Sequence, residues 1–302
     1  QRELQKELGH AVKLSQTLLF DYPTASGIAG FVVAELRDSA SSNGTSSPTV
    51  LPMALDGQQQ SVAIVGMSCY APGGCSSSSA LWSLLCSATD SLQKIPVSRF
   101  DADGLDGTQQ ELYVKHGHFV NGIELFDNQC FGISPAEARV MDPHQRLLLE
   151  VAYEALVGAG WSKASLMNSA VGMYLGFATT ADWGAVQRDA GTAATAHSNL
   201  GSDSAGAAGR LSYLLGLKGP CFTVNTACSS SMVALDSAML ALRAGRCSSA
   251  VVAGVNLQLH PAPWEGFCVM NALSHDGQCK TFDESADGFG RSEACGAIVV
   301  QP

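Results

Sequence analysis

The chain has 302 residues, of which 46% are apolar and only 15% charged, well below the roughly 25% charged content of ordinary soluble domains. That is enough chain for one large domain or two smaller ones with a sizeable buried core. With 27 acidic against 17 basic residues and a formal net charge of −10, and with no basic run, neither nucleic acid nor an anionic membrane surface is an expected partner.

Residues 1–38 read as short and helical. Leu4, Leu8 and Val12 are spaced by four, and a second helix is predicted after Pro23 with Ile28, Phe31, Val32 and Leu36 on one face. Thirty-eight such residues cannot build a core alone. The stretch Ser39 to Pro52, SASSNGTSSPTVLP, has no apolar period and reads as a flexible linker, placing a boundary region over 39–60.

From about Ser61 strands and helices alternate. Val62 to Val65 is predicted as a short buried strand and Leu81 to Leu85 as helix. Pro143 to Leu156 is predicted as a strong helix with Leu147, Val151, Glu154 and Ala155 in register. Then follow a strand at Val171 to Phe177, a helix at Ala205 to Leu215 and a strand at Cys221 to Asn225. The last elements are a helix at Ser229 to Ala244, with Met232, Leu235, Met239 and Leu242 in apolar spacing, and strands at Val251 to Leu259 and Gly296 to Val300. The alternation predicts an α/β fold with a largely buried sheet. No segment has the apolar length of a membrane helix and the N-terminus lacks a signal-peptide layout, so a cytoplasmic protein with no membrane contact is expected.

The ten cysteines contain no Cys-x-x-Cys pair and no cluster with zinc-ligand spacing, so reduced thiols and no metal are expected. A cysteine is ordinarily a small buried hydrophobe, and Cys69, Cys221, Cys247 and Cys295, beside apolar runs, read that way. Cys228 differs by its place in VNTACSSS, residues 224–231. It sits between a strand and a helix, flanked by Ala227 and Ser229, which are small enough to let a nucleophile stand clear of a tight turn. The start of a helix favours an anion, and so the reactive thiolate. The Gly-x-Ser-x-Gly elbow of hydrolases is not matched, because Thr226 and Ser230 stand where it needs glycine.

Five ordered motifs carry a resemblance. They are VAIVGMSC (62–69), FGISPAEARVMDPHQRLLLEVAYEAL (131–156), GRLSYLLGLKGPCFTVNTACSSSMVAL (209–235), VAGVNLQL (252–259) and LSHDGQCKTFDESADGFGRSEACGAIVV (273–300). Residues 61–302 resemble the N-terminal portion of the β-ketoacyl synthase (ketosynthase) domain of modular type I polyketide synthases. TLLFDYPTASGIAGFVVAEL (17–36) resembles the end of an acyl carrier protein, whose phosphopantetheine-bearing serine would lie upstream of Gln1. The resemblance implies a thiolase-like fold, mainly its first half, preceded by a helical carrier remnant. It implies an acyltransferase in which Cys228 receives an acyl chain and a decarboxylated malonyl-type extender attacks it. Its partners would be acyl carrier domains with their phosphopantetheine arms and acyl and malonyl-type thioesters. No cofactor would be bound by the chain itself.

The resemblance further implies a homodimer through the strand before Cys228, and leaves plastid targeting open. It implies that Phe267 and Met270 line the acyl pocket, with plain core packing as the alternative. Asp283, Asp287, Arg291 and Glu293 are expected to form a charged loop network near the site, with a structural role favoured over direct catalysis. The family's two decarboxylation histidines lie far beyond its cysteine, in His-Gly-Thr-Gly-Thr and Asn-Ile-Gly-His segments. None of the seven histidines here lies in either motif, and Cys228 already falls in the last quarter of the chain. His144 is expected to be structural, His275 to stand at a position where proline is common, and His116, His118, His197 and His260 to lie in loops. A truncated, non-condensing acyl-accepting or carrier-binding protein is the competing reading, and a thioester hydrolase the third. Asn225, standing for the family's aspartate, is expected to remove a buried charge beside the thiol. Ser292 and Ala294, standing for glycines, are expected to strain their turn if φ is positive there.

Overall fold

The computed structural model describes residues 28–34, 61–107, 112–178, 182–192, 195, 197–198, 201 and 203–302. The chain divides into two compact units, Gln1–Gln58 and Gln59–Pro302. In the first, residues 28–34 are helical, with Ile28, Phe31 and Val32 half-buried and the residues between them exposed, the one-sided face predicted for this helix. Leu36, the Leu4–Leu8–Val12 helix and the Ser-rich linker lie outside the described residues.

The second unit is built on a five-stranded sheet in the order β1-β7-β6-β4-β5. Its strands are β1 (Ala63–Tyr70), β4 (Val171–Gly176), β5 (Cys221–Val224), β6 (Ser249–Asn256) and β7 (Ala294–Gln301), while β2 (Gln93–Lys94) and β3 (His116–Gly117) form a separate small ladder. Strands β6, β4 and β5 run parallel, and β7 is antiparallel to both β6 and β1. The helices in chain order are α1 (Ser78–Cys86), α2 (Pro135–Val140), α3 (Pro143–Gly158), α4 (Lys163–Leu166), α5 (Asp182–Asp189), α6 (Ser204–Leu215), α7 (Ser230–Arg243) and α8 (Ala262–Val269). The expected α/β alternation is therefore present. The short helices α2, α4, α5 and α8 were not predicted, because fewer than three turns carry too little periodicity to read.

Side-chain alternation along the strands splits the core in two. Met173, Leu175, Val251 and Ala253 pack with Leu148, Val151 and Ala155 of α3 and with Leu211 of α6. Tyr174, Ala250 and Val252, on the opposite face, pack with Ala234, Ala238 and Leu242 of α7. A period of two on the strands thus sends successive residues to two helical layers. Asp142 caps α3 by accepting the His144 amide at 2.8 Å, with Pro143 in the first turn.

Three expectations are corrected here. The first strand is longer than the predicted Val62 to Val65 and lies at the sheet edge, where Ile64 and Met67 are each 55% exposed. Only its inner side meets α3, at Gly66, where a Cβ would come within 2.2 Å of the Ala155 carbonyl oxygen. On α7 the buried stripe is Ala234, Ala238, Ala241 and Leu242, whereas Met232 of the predicted stripe is exposed and Leu235 and Met239 are half-buried. The helix lies so close to the sheet that only small side chains fit between them. Glu154 also departs from its predicted register. It is exposed at the rim of α3, where its carboxylate accepts the Ser68 hydroxyl at 2.8 Å.

Candidate active site

The parallel ladder aligns the carboxyl ends of β5, β4 and β6, with Gly176 opposite both Val224 and Gly254. The start of antiparallel β7 joins them, because Ala294 faces Asn256. In open α/β sheets the crevice beyond the carboxyl ends of the strands is where ligands bind. The segment that carries Cys228 leaves β5 at that edge.

Between β5 and α7 the backbone turns sharply at Ala227, whose φ is +56°. A left-handed alanine is uncommon and costs backbone energy, so the surroundings must hold it. They do so through a ring of short polar side chains. Asn225 Oδ1 accepts the Ala227 amide at 3.1 Å, and Ser230 Oγ accepts the Thr226 amide at 2.8 Å while donating to the Ala227 carbonyl at 2.6 Å. The Ser229 hydroxyl donates to the Thr226 carbonyl at 2.8 Å. Cys228 is exposed on this turn, two residues before the first residue of α7. Asn225 is exposed as well. Its contribution is to fix the turn, and the expectation of a buried charge removed at this position does not hold.

Beneath the turn, α7 approaches β4 at Gly176, where a Cβ would lie 2.5 Å from the Ser231 amide nitrogen. Gly254 of β6 is the looser neighbour, its notional Cβ 3.2 Å from Ser231 Cβ. The start of the helix is thereby pressed onto the ends of two strands.

The other predicted site residues divide. Phe267 is half-buried on α8, edge-on to Phe289 at 5.4 Å and under the Arg291 guanidinium at 4.7 Å. Met270, at the C-cap of the same helix, is 71% exposed. Phe267 is therefore packed into an aromatic–cation cluster and Met270 is not.

The charged network expected from Asp283, Asp287, Arg291 and Glu293 divides into three hydrogen-bonded groups. Glu293 is fully buried, and its carboxylate accepts Arg99 Nε at 2.7 Å, Arg99 Nη2 at 2.8 Å, and the amides of Val120 and Gln258, each at 2.9 Å. Arg291 donates Nε to Gln258 Oε1 at 3.0 Å. Asp283 caps its own turn through the Ser285 amide at 2.9 Å. Asp287 belongs to a loop clamp in which Lys280 Nζ donates to Asp287 Oδ1 at 2.7 Å and to Asp276 Oδ1 at 3.0 Å. Ser292 and Ala294 are not among the described residues with positive φ, so the expected glycine strain is absent there. Sequence reasoning missed Arg99, because nothing local links it to a partner 194 positions away.

In the clamp, hydrogen bonds from Lys280 and Ser274 and from the His275 amide hold the Asp287 carboxyl well below the usual carboxylate range. The Ser274 hydroxyl, the Gln278 amide and Lys280 hold Asp276 at about 2. Both values are depressed, so the stabilisation is complete above the unfolded value of roughly 3.9 and fades as pH falls from there toward 2. Protection factors for amide exchange over 274–287 should accordingly fall in that acid window and stay level above it. The carboxyl titrations of Asp276 and Asp287, followed by NMR, should move upward in Lys280→Met. Unchanged midpoints in that variant would remove Lys280 from the clamp.

The histidines are accounted for individually. His144 is fully buried: Nδ1–H donates to Asp142 Oδ1 at 2.7 Å and Nε2 accepts the Leu257 amide at 2.8 Å. It ties the start of α3 to the end of β6, as a structural residue does. His116 lies in strand β3, correcting its assignment to a loop, and His197 in a short helical stretch. His118 Nδ1 is 3.0 Å from Ser91 Oγ, His260 Nε2 3.1 Å from Asp189 Oδ2, and His275 stacks at 4.8 Å on Tyr113. His10 lies outside the described residues. All ten cysteines are free thiols, with Cys247 and Cys295 buried, Cys69 half-buried and Cys221 exposed on β5.

Residues 59–302 match the family model for the beta-ketoacyl synthase N-terminal domain. The chain belongs to the β-ketoacyl synthase family. Over 99% of its length it is 39% identical to polyketide synthase GfsB of Streptomyces halstedii and to the spectinabilin polyketide synthase system protein NorC of Streptomyces orinoci. It spans 5% and 13% of those two proteins. Among solved structures, the ketosynthase from module 6 of the bacillaene synthase of Bacillus subtilis 168 superposes with a TM-score of 0.72 at 36% identity, covering 80% of this chain and 40% of that one. The mixed sheet with α3 and α6 on one face and α7 on the other is thus part of a thiolase-like fold.

Proposed function

We propose that residues 61–302 act as the N-terminal portion of a polyketide synthase ketosynthase domain, with Cys228 as the acyl-accepting nucleophile. The observation that carries this reading is the exposed thiol on the left-handed Ala227 turn at the start of α7. In the first half-reaction the Cys228 thiolate attacks the carbonyl of an acyl thioester on a carrier's phosphopantetheine arm. The tetrahedral oxyanion collapses, expels the arm's thiolate and leaves the acyl chain on Sγ. In the second, a carrier-bound malonyl-type extender loses carbon dioxide, and the resulting enolate attacks the Cys228 thioester carbonyl. The new carbon–carbon bond forms as the Cys228 thiolate leaves. An oxyanion arises in each attack, and the Cys228 backbone N–H is the donor we assign to it. Holding both reactants on tethers replaces a bimolecular encounter.

Residues 1–38 are read as the end of an acyl carrier domain and 39–60 as the linker. The partners are acyl carrier domains and their acyl and malonyl-type thioesters. Among the described residues β5 is the last strand of the sheet, and its open edge supports a homodimer through that strand, since an open strand edge recruits another. Met232 and Leu240, 66% and 57% exposed on the outer side of α7, support a further layer over this helix in the complete domain. Phe267, half-buried and edge-on to Phe289, is the better of the two proposed acyl-pocket residues. Among the described residues no helix is long and apolar enough to cross a membrane, and a cytoplasmic location accords with that.

Incubation with butyryl-N-acetylcysteamine, followed by intact-mass analysis, tests the nucleophile. A single butyryl adduct is expected, falling more than about tenfold in Cys228→Ala, because the remaining thiols lack the helix-start setting. An adduct of equal yield in that variant, carried on exposed Cys86, Cys221 or Cys279, would overturn the assignment.

A further inference from the structure

Three successive peptide groups cross the turn between β5 and α7, and they are not held alike. The 225–226 peptide is held through its N–H, which Ser230 Oγ accepts at 2.8 Å. The 226–227 peptide is held at both ends, its N–H going to Asn225 Oδ1 at 3.1 Å and its carbonyl accepting the Ser229 hydroxyl at 2.8 Å. The 227–228 peptide is held through its carbonyl alone. That carbonyl accepts two donors from one residue, the Ser230 hydroxyl at 2.6 Å and the Ser230 amide at 3.2 Å. The N–H of the same peptide, on Cys228, donates to no acceptor among the described residues.

A trans peptide carries its C=O and N–H on opposite sides, and none of the described peptides is cis. Drawing the Ala227 carbonyl toward Ser230 therefore turns the Cys228 N–H away from the start of α7. Ser230 is only 5% exposed, whereas Cys228 is exposed, so the hydroxyl braces the turn from inside. The bracing has work to do, because Ala227 sits at a φ of +56°. A left-handed alanine persists only where its surroundings over-determine it, and the adjoining 227–228 peptide is the unit that rotates if it relaxes.

We propose that Ser230 is a positioning residue for acyl transfer: its hydroxyl fixes the 227–228 peptide so that the Cys228 N–H meets the oxyanion formed at the thioester carbonyl. This rests on the acyl transfer assigned to Cys228 above. As Sγ bonds to the carbonyl carbon, the π electron pair moves onto the carbonyl oxygen, and it returns as the carrier's thiolate leaves. The N–H donor acts while that pair is on oxygen. Without the hydroxyl, the Ala227 carbonyl keeps only the longer bond to the Ser230 amide and the Thr226 N–H loses its acceptor. The peptide is then free to turn its donor out of line. Alkylation of the thiol makes no such demand, because iodide leaves a saturated carbon directly and no charge gathers on oxygen.

The test compares the full wild-type chain with Ser230→Ala and Ser230→Thr in two reactions, read at Cys228 by peptide mass mapping. One is acylation by butyryl-N-acetylcysteamine over a range of concentrations, and the other is alkylation by iodoacetamide. Ser230→Ala should lower the maximal acylation rate by at least about tenfold, toward the roughly hundredfold or more that loss of one oxyanion donor costs. Its half-saturating concentration and its alkylation rate should change little. Ser230→Thr keeps an Oγ and should recover most of the acylation rate. Melting temperatures show whether each variant is folded. Should Ser230→Ala fail to fold, hydrogen exchange in the wild type carries the test, with the Cys228 amide exchanging much faster than the Thr226 amide. A wild-type chain that takes no butyryl group on Cys228 removes the acyl-transfer reading, and this proposal with it. Where the wild type is acylated, four outcomes overturn the role of Ser230 alone. They are an unchanged maximal rate in Ser230→Ala, an alkylation loss as large as the acylation loss, equal losses in folded Ser230→Ala and Ser230→Thr, or equal protection of the Cys228 and Thr226 amides.

Discussion

Glu293→Ala is expected to destabilise the second unit by about 3–5 kcal/mol, the cost of removing one partner from a buried ion pair. That loss corresponds to a melting temperature lower by roughly 10 °C for a unit of this size. The carboxylate accepts four hydrogen bonds, from Arg99 Nε and Nη2 and from the Val120 and Gln258 amides. Truncation strands all of these donors inside the protein, where Arg99 keeps only its bond to the Val120 carbonyl at 2.6 Å. Its charge is then buried and unpaired, with its side chain only 4% exposed.

Two further variants separate charge from hydrogen bonding. In Arg99→Met/Glu293→Leu neither charge is desolvated, and apolar replacement of a buried pair is often neutral. Recovery should nevertheless be incomplete, because the Val120 and Gln258 amides still lack acceptors. Glu293→Gln fails differently, since its NH₂ must face a donor. Chemical denaturation of the three variants should place the double mutant above both single ones. A loss under about 1 kcal/mol in Glu293→Ala, the worth of a surface ion pair, would mean that water reaches the site.

What could be read in advance follows from how far apart in sequence the causes lie. The helix α3 and the β5–turn–α7 unit were legible because their signals are local: apolar spacing, an Asp-Pro start, and a thiol between small residues. The position of Cys228 on the turn was legible for the same reason. Its mechanism was not. The left-handed φ of Ala227 is imposed by Asn225 and Ser230, and no residue type announces it. The buried stripe of α7 was misread because methionine and leucine spacing looks like a core face. The close approach at Gly176 reverses that preference, selecting alanines inward and leaving Met232 exposed. The first strand was misjudged because a run of Val and Ile does not say whether its strand is central or at the edge. Arg99 and Glu293 are separated by most of the domain, and a pairing of that kind leaves no local trace.

The same close approach makes Gly176→Ala the substitution with the largest expected consequence for the thiol. The added Cβ would lie 2.5 Å from the Ser231 amide nitrogen, 2.7 Å from the Ser230 carbonyl carbon and 2.8 Å from Ser231 Cα. All three are backbone atoms, so no rotamer change relieves the clash and α7 itself must move. Overpacking of this kind costs about 1–3 kcal/mol. Gly254→Ala is the matched control, because its Cβ meets only Ser231 side-chain atoms, at 3.2 and 3.8 Å, and the Gly176 carbonyl oxygen at an ordinary 3.8 Å, and under about 1 kcal/mol is expected where a side chain can yield. The difference should be larger in reactivity than in stability. Ser230 joins the displaced helix start to the turn through the Thr226 amide and the Ala227 carbonyl, so a shift of α7 pulls Cys228 with it. Misplacing a reacting atom by about 1 Å can cost a hundredfold in rate. Butyryl transfer to Cys228 should therefore fall by one to two orders of magnitude, on the order of that cost, in Gly176→Ala and little in Gly254→Ala. Alkylation by iodoacetamide, which needs only an exposed thiol, should change far less in either. Equal acylation rates in the two variants would show that the thiol's reactivity does not depend on how α7 is seated against β4.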